Sequence, residues 1–184
     1  MKKLTTVVLS LAVIAGIVGV TYLMLGNSGA EAKEGPQNFV VALQGTATGV
    51  ETSEGSGVFC FDVDMVDPST GRVIGVGADC LDMNTMAPIG DDGGFGIENT
   101  TTFHLPGGTI TSVGRTTVQP AEDDGAGRAM FITGEISDAP NITGTGRFEG
   151  ATGNTRLSGI VDMTHFLDGH GTITFDCIFV IDVN

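Results

Sequence analysis

Few residues in this chain have the type and setting to do chemistry in a buried site. They are histidines and cysteines, three of each, and one asparagine in an apolar stripe. His165 shares a period-2 face with Leu157, Val161 and Met163, so it is the histidine able to point into a sheet-lined interior. A titratable ring held there would serve as acid or base. It also stands just before the turn Asp168-Gly169-His170-Gly171, where strand ends are commonly wet. Asn99 alternates with Phe95, Ile97, Thr101, Phe103 and Leu105. An inward amide can orient a ligand oxygen or satisfy a neighbouring backbone group. His165 and Asn99 are the candidate catalytic residues, and neither has a role fixed by its surroundings in sequence.

The cysteines Cys60, Cys80 and Cys177 permit one disulfide and leave one thiol. No basic neighbour or Cys–His spacing argues for an activated thiolate. A Ser nucleophile elbow, a zinc-type Cys/His cluster and a phosphate loop opening a helix are all missing. Asp91-Asp92 and Glu122-Asp123-Asp124 lack the alternate-position oxygens and closing Glu of a calcium loop. No metal site and no organic cofactor are expected.

These residues must be positioned by strands. Val58–Asp67 places Phe59, Phe61, Val63 and Met65 on one face, the alternation of a half-buried strand. Pro68-Ser69-Thr70-Gly71 turns the chain, and Arg72–Leu81 returns. With Asp67 opposite Arg72, Phe59 falls opposite Cys80, Phe61 opposite Ala78, Val63 opposite Val76 and Met65 opposite Ile74. Cys60 then points outward and Cys80 inward, so a Cys60–Cys80 bridge requires a bulge that shifts one strand by one residue. Cys80 and Cys177, both inward in this register, are the alternative pair. Further strands are read at Phe39–Thr46, Phe95–Leu105, Thr109–Gln119, Arg128–Ile136, Thr155–Phe166 and Thr172–Val183, with Met83–Gly94 as a loop. In the last strand Ile173, Phe175, Cys177, Phe179, Ile181 and Val183 share one face.

About eight strands with regular turn signals and no convincing helix after the leader predict an all-β domain. The composition agrees, with 29 Gly, 10 Phe, no Trp and abundant Thr and Val. An eight-stranded antiparallel closed barrel removes the exposed edges and leaves an interior that is filled or holds one small ligand. Its expected ligand-binding residues are Phe59, Phe61, Phe95, Asn99, Phe103, His165, Phe175 and Phe179.

Ahead of this domain, which occupies residues 35–184, residues 1–34 form a hydrophobic signal or anchor helix. Lys2 and Lys3 precede the uncharged run Leu4–Leu25, and Ala30-Glu31-Ala32 suits a signal peptidase. The run also exceeds the ~18 residues that span a bilayer, so a retained anchor is the alternative, with residues 4–25 the membrane contact. Either outcome exports the domain, to a secreted or periplasmic location or to the outer side of the cytoplasmic membrane. The chain carries a net charge of −14, and only Arg72, Arg115, Arg128, Arg147 and Arg156 are basic after Glu34. A nucleic acid needs a basic footprint and is excluded as a partner.

Three ordered segments carry a resemblance: Gly108–Arg115 (GTITSVGR), Ile142–Gly153 (ITGTGRFEGATG) and Gly171–Val180 (GTITFDCIFV). Together they resemble the allene oxide cyclase and dirigent superfamily, including its bacterial barrel-like members. The resemblance covers the C-terminal half by motif and the rest by strand spacing. It implies an eight-stranded barrel with an apolar pocket, often trimeric, that works without metal or organic cofactor. In the plant members such a barrel steers cyclisation of an oxidised fatty acid or coupling of phenols. The acidic residue and water-holding Asn and Pro of the plant cyclase have no counterpart in Phe39–Val50, and Thr152 stands where dirigent proteins commonly carry Arg. What is implied is the fold. Few charges are expected inside it, which favours an exported barrel binding a small apolar molecule; a cofactor-free cyclase or isomerase and a ligand-free structural domain are the alternatives.

Overall fold

The computed structural model describes residues 37–121, 126–136 and 140–184. The leader at 1–34 and the Glu122-Asp123-Asp124 cluster lie outside the described residues. Alternating apolar and polar side chains build β1 (Gln37–Thr48), β2 (Val50–Glu51), β3 (Val58–Asp67), β4 (Arg72–Ile89), β5 (Gly94–Leu105) and β6 (Gly108–Pro120). They are followed by β7 (Met130–Ile136), β8 (Ile142–Gly144), a 3-10 turn at Gly146–Phe148, β9 (Gly153–Asp162), the four-residue helix α1 (Thr164–Leu167) and β10 (Thr172–Val183).

Every pairing is antiparallel, in the order β1-β10-β9-β7-β6-β5-β4-β3, and β3 pairs back onto β1 through Asp64–Val66 and Ala42–Gln44. Eight strands therefore close a barrel, as the alternation predicts. The two-residue β2 adds to β3, and β8 takes the place of β7 against the first half of β6. Closure leaves no long unpaired edge in the barrel wall, the liability that an open sheet of this size carries.

The β3–β4 hairpin departs from the simple register. Asp67 does face Arg72, and its carboxylate accepts hydrogen bonds from the Ser69 N–H, the Ser69 hydroxyl and the Thr70 hydroxyl, which hold the turn. Between Met65 and Val66 a bulge then shifts the pairing by one residue. Beyond it Phe59 lies opposite Leu81, Cys60 opposite Cys80 and Phe61 opposite Asp79. A one-residue slip exchanges the two faces of a strand. Val73, Ile74 and Val76 are accordingly exposed, whereas Gly77 and Asp79 are buried. The expected inward Cys80 is corrected on the same ground. It turns outward and forms a disulfide with Cys60, while Cys177 is free and buried.

Two further boundaries differ from expectation. The segment read as a loop from Met83 continues as β4 to Ile89, with an irregular step between Asp82 and Ala87. The strand read through to Phe166 stops at Asp162, whose carboxylate accepts bonds from the Thr164 N–H and hydroxyl and starts α1.

One half of the interior is solid. Phe103 packs edge-on against Phe179 with ring centroids 5.1 Å apart, and Leu43, Met65, Ile110 and Ile181 are fully buried. The glycine-rich corner closes this end. Phe148 is buried, meets Phe39 edge-on, and carries the Arg147 guanidinium 4.5 Å above its ring. Gly146 has φ +62°, and a Cβ on it would lie 2.2 Å from the Gly107 carbonyl oxygen, so the corner admits no larger residue there.

The disulfide joins residues 20 apart in sequence. Replacing both Cys60 and Cys80 by Ala should lower unfolding free energy by about 3 kcal/mol, the loop-entropy value for a loop of that size. Urea denaturation of the oxidised chain and the double variant measures it.

Candidate functional site

The other half of the barrel holds a cavity. Along β5 its lining runs through Phe95 and Ile97, along β6 through Thr116 and Val118, and along β10 through Ile173, Phe175, Cys177 and Phe179. Leu81 and Met83 of β4, with Leu157, Val161 and Met163 of the β9 segment, complete an apolar wall. Its empty volume, the open mouth included, is about 540 Å³. Much of that volume is open to solvent, and the part that admits water would hold a few molecules.

Asp79 is the one carboxylate among these lining residues. The bulge in the β3–β4 hairpin places it there, and only 8 % of its surface remains exposed. The Thr101 hydroxyl donates to Asp79 Oδ1 at 2.7 Å, and the Asn99 amide donates to Thr101 Oγ1 at 3.2 Å and to Glu135 Oε2 at 3.4 Å. On the far side of Glu135, the Asn141 amide donates to Glu135 Oε1 at 3.3 Å and to Ser112 Oγ at 3.1 Å. The Thr155 backbone N–H fixes that amide by donating to Asn141 Oδ1. A hydrogen-bonded chain thus crosses from β4 through β5 to β7 and on to the residue that precedes β8. It ends at the cavity in Asp79.

Glu135 has its place because β6 carries Gly114 opposite Asn99. A Cβ at Gly114 would lie 1.6 Å from Glu135 Oε1, so the carboxylate occupies the space a side chain would take. Glu135 is 3 % exposed. Two carboxyl groups buried together do not both ionise freely. Burial pushes the Asp79 carboxyl above its ordinary range, against the opposing hydrogen bonds from Thr101 and Asn99. Burial also raises Glu135, the Asn99 hydrogen bond counters it, and the negative charge of Asp79 raises it further. Cys177 is pushed up to about 12, first by burial and then by the charge of Asp79, so it remains a thiol. Three buried oxygens have no hydrogen-bond partner among the described residues: Asn99 Oδ1, Thr116 Oγ1 and Thr155 Oγ1.

Of the residues expected at the site, Phe95, Phe175 and Phe179 line the cavity. Asn99 lies in the polar network reached through Asp79. Phe103 belongs to the solid end. Phe61 packs against Phe166 and Phe175, and Phe59 meets Phe166 edge-on, outside the cavity lining. His165 sits on α1, with its side chain 68 % exposed and Nδ1 3.1 Å from Asp168. Its expected inward direction is corrected, because β9 ends before the alternation reaches it. Buried charges are few among the described residues, Asp79 and Glu135, and only Asp79 reaches the cavity. Glu135 had a signal in its period-2 spacing from Phe131 and Thr133. Asp79 had none, since a regular hairpin sends it outward. Among the described residues, no cluster of His, Cys, Asp and Glu could hold a metal ion.

Neither a family model nor a curated protein matches the chain. Among solved structures it is similar to a protein described as a nonspecific heme-binding cyclase that catalyses a (4 + 2) cycloaddition during neoabyssomicin biosynthesis. The two share 13 % identity over 100 % of this chain and 79 % of that one, with a TM-score of 0.41. A likeness at that level carries no argument about the site, which rests on its own geometry.

Gly114→Ala should displace the Glu135 carboxylate and destabilise the barrel by about 1–3 kcal/mol, the usual penalty of overpacking. In a Glu135→Ala background most of that penalty should vanish, as a double-mutant cycle would show. A second expectation concerns pH. A carboxyl whose pKa is raised by folding adds stability that is present below its unfolded-state value, 3.8 for Asp79 and 4.5 for Glu135, and is lost as pH rises through the folded value. Each group steepens the loss by at most about 1.4 kcal/mol per pH unit. Asp79→Asn should therefore flatten the decline in urea stability above pH 4. Equal slopes in the two chains would show that Asp79 holds no extra proton in the fold.

Proposed function

We propose that this barrel binds a small, slender, mainly apolar molecule, with the polar end of the ligand against Asp79. The observation that carries the reading is an apolar cavity whose wall holds one carboxyl, Asp79, and an unpartnered hydroxyl, Thr116 Oγ1. Apolar walls with a few placed polar groups are the usual make-up of a small-molecule site. The solid half of the barrel holds the walls in place. An exported location remains part of the proposal, and the Cys60–Cys80 disulfide supports it, since such bonds persist in oxidising compartments. Kinship with the allene oxide cyclase and dirigent barrels also stands as a proposal, supported by the closed eight-stranded wall and the buried Phe148 of the corner motif.

Asp79 favours a second reading, a cofactor-free isomerase or cyclase. A carboxyl at the floor of an apolar cavity can give or take a proton where water is scarce. Binding is the better supported of the two. Glu135, the partner carboxyl, lies behind the wall and not among the lining residues.

Native mass spectrometry of the chain purified from its own host should detect a retained small molecule. Val118→Phe, which fills the cavity from β6, should abolish retention and the uptake of an apolar fluorescent probe. His165→Ala should leave both unchanged. A chain that retains nothing and takes up no probe would be a structural domain.

A further inference from the structure

The donors and acceptors around Asp79 do not balance. The Thr101 hydroxyl proton is spent on Asp79, and the Asn99 amide protons are directed to Thr101 and Glu135. Two buried acceptors are left over, Asn99 Oδ1 beside Asp79 and Thr116 Oγ1 further along the cavity wall, with Asn99 and Thr116 at 4 % and 5 % exposed. No Lys, Arg or His lines the cavity or is bonded to the network among the described residues. Two buried carboxyl groups thus lack a counter-cation. A buried carboxylate without one either takes up a proton or waits for a cation from outside.

We propose that the floor of the cavity is a receptor for a primary ammonium group, so that the ligand is a slender apolar amine, its cation on Asp79 and its tail toward the mouth. This rests on the binding reading above and names the ligand class. An ammonium group brings three donors and no acceptor, which matches a corner rich in acceptors. A ketone or ester brings acceptors alone, and a carboxylate adds like charge to Asp79 and Glu135. Charge-assisted hydrogen bonds in a water-poor site are stronger than neutral ones. The net charge of −14 also draws cations toward the protein.

The exchange balances as a proton release. The ammonium enters, the O–H bond of the Asp79 carboxyl breaks, its proton goes to solvent, and the carboxylate accepts an N–H hydrogen bond. The titratable groups that face Asp79 are Glu135 across the network and the Cys177 thiol on β10. An ionised Glu135 disfavours the bare carboxylate and the ammonium relieves that repulsion, whereas the Cys177 thiol stays neutral. Affinity falls in acid as protons compete for Asp79, and falls again in alkali as the amine loses its own proton near pH ~10.

Titration calorimetry of the full chain at pH 7.5 with hexylamine, hexan-1-ol and hexanoate tests this. Hexylamine should bind about tenfold or more tighter than hexan-1-ol, and hexanoate should not bind. The hexylamine heat should vary with buffer ionisation enthalpy, reporting a released proton. Asp79→Asn should remove the amine preference, so that hexylamine and hexan-1-ol bind that variant with equal affinity. Hexan-1-ol binding as tightly as hexylamine, or an amine preference that survives Asp79→Asn, would overturn the ammonium receptor and leave the binding reading in place. Binding by none of the three would overturn both.

Discussion

The interior of this barrel depends on one extra residue in one hairpin. Because side chains in a strand alternate with period 2, the step between Met65 and Val66 decides which face of β4 looks inward. With the step, Gly77, Asp79 and Leu81 face the interior and Cys80 meets Cys60 outside. Without it Cys80, Ala78 and Val76 would face inward and the cavity would have no carboxylate. Two features hold the step. The Asp67 carboxylate fixes the turn on one side of it, and the disulfide fixes the pairing on the other.

The same contrast explains what was legible in the sequence. Closed β architecture was readable because alternation in β3, β5 and β10 is strong and the turns carry Gly and Pro in positions with a physical reason. The inward stripe of Ile173, Phe175, Cys177, Phe179 and Ile181 is buried as its spacing requires. The site was less legible. Apolar period-2 reasoning assigns a strand face by its hydrophobic residues, and β4 offers Val73, Ile74 and Val76 on what becomes the outside. A buried aspartate in such a strand is invisible until the register is known. His165 misled for a related reason, since its face was extrapolated past Asp162, which ends the strand by bonding to Thr164.

Gly114 and Glu135 show how a polar group is accommodated in a packed interior. The carboxylate sits in the volume left by the missing side chain, and the amides of Asn99 and Asn141 supply its donors from two sides. Removing either the space or the donors would leave a buried charge uncompensated, which is why such networks are costly when only half satisfied. Their rigidity then serves Asp79, which receives its hydroxyl donor from Thr101 in the same row.

The corner at Phe148 also has a bearing on traffic. With that end stoppered by Phe148, Phe103 and Ile110, the barrel is a blind tube and not a channel. A guest of the kind proposed would enter and leave through one door. Depth then acts as a ruler. For such a guest, the distance from the door to Asp79 would set how long a tail is covered, with anything longer left outside in water.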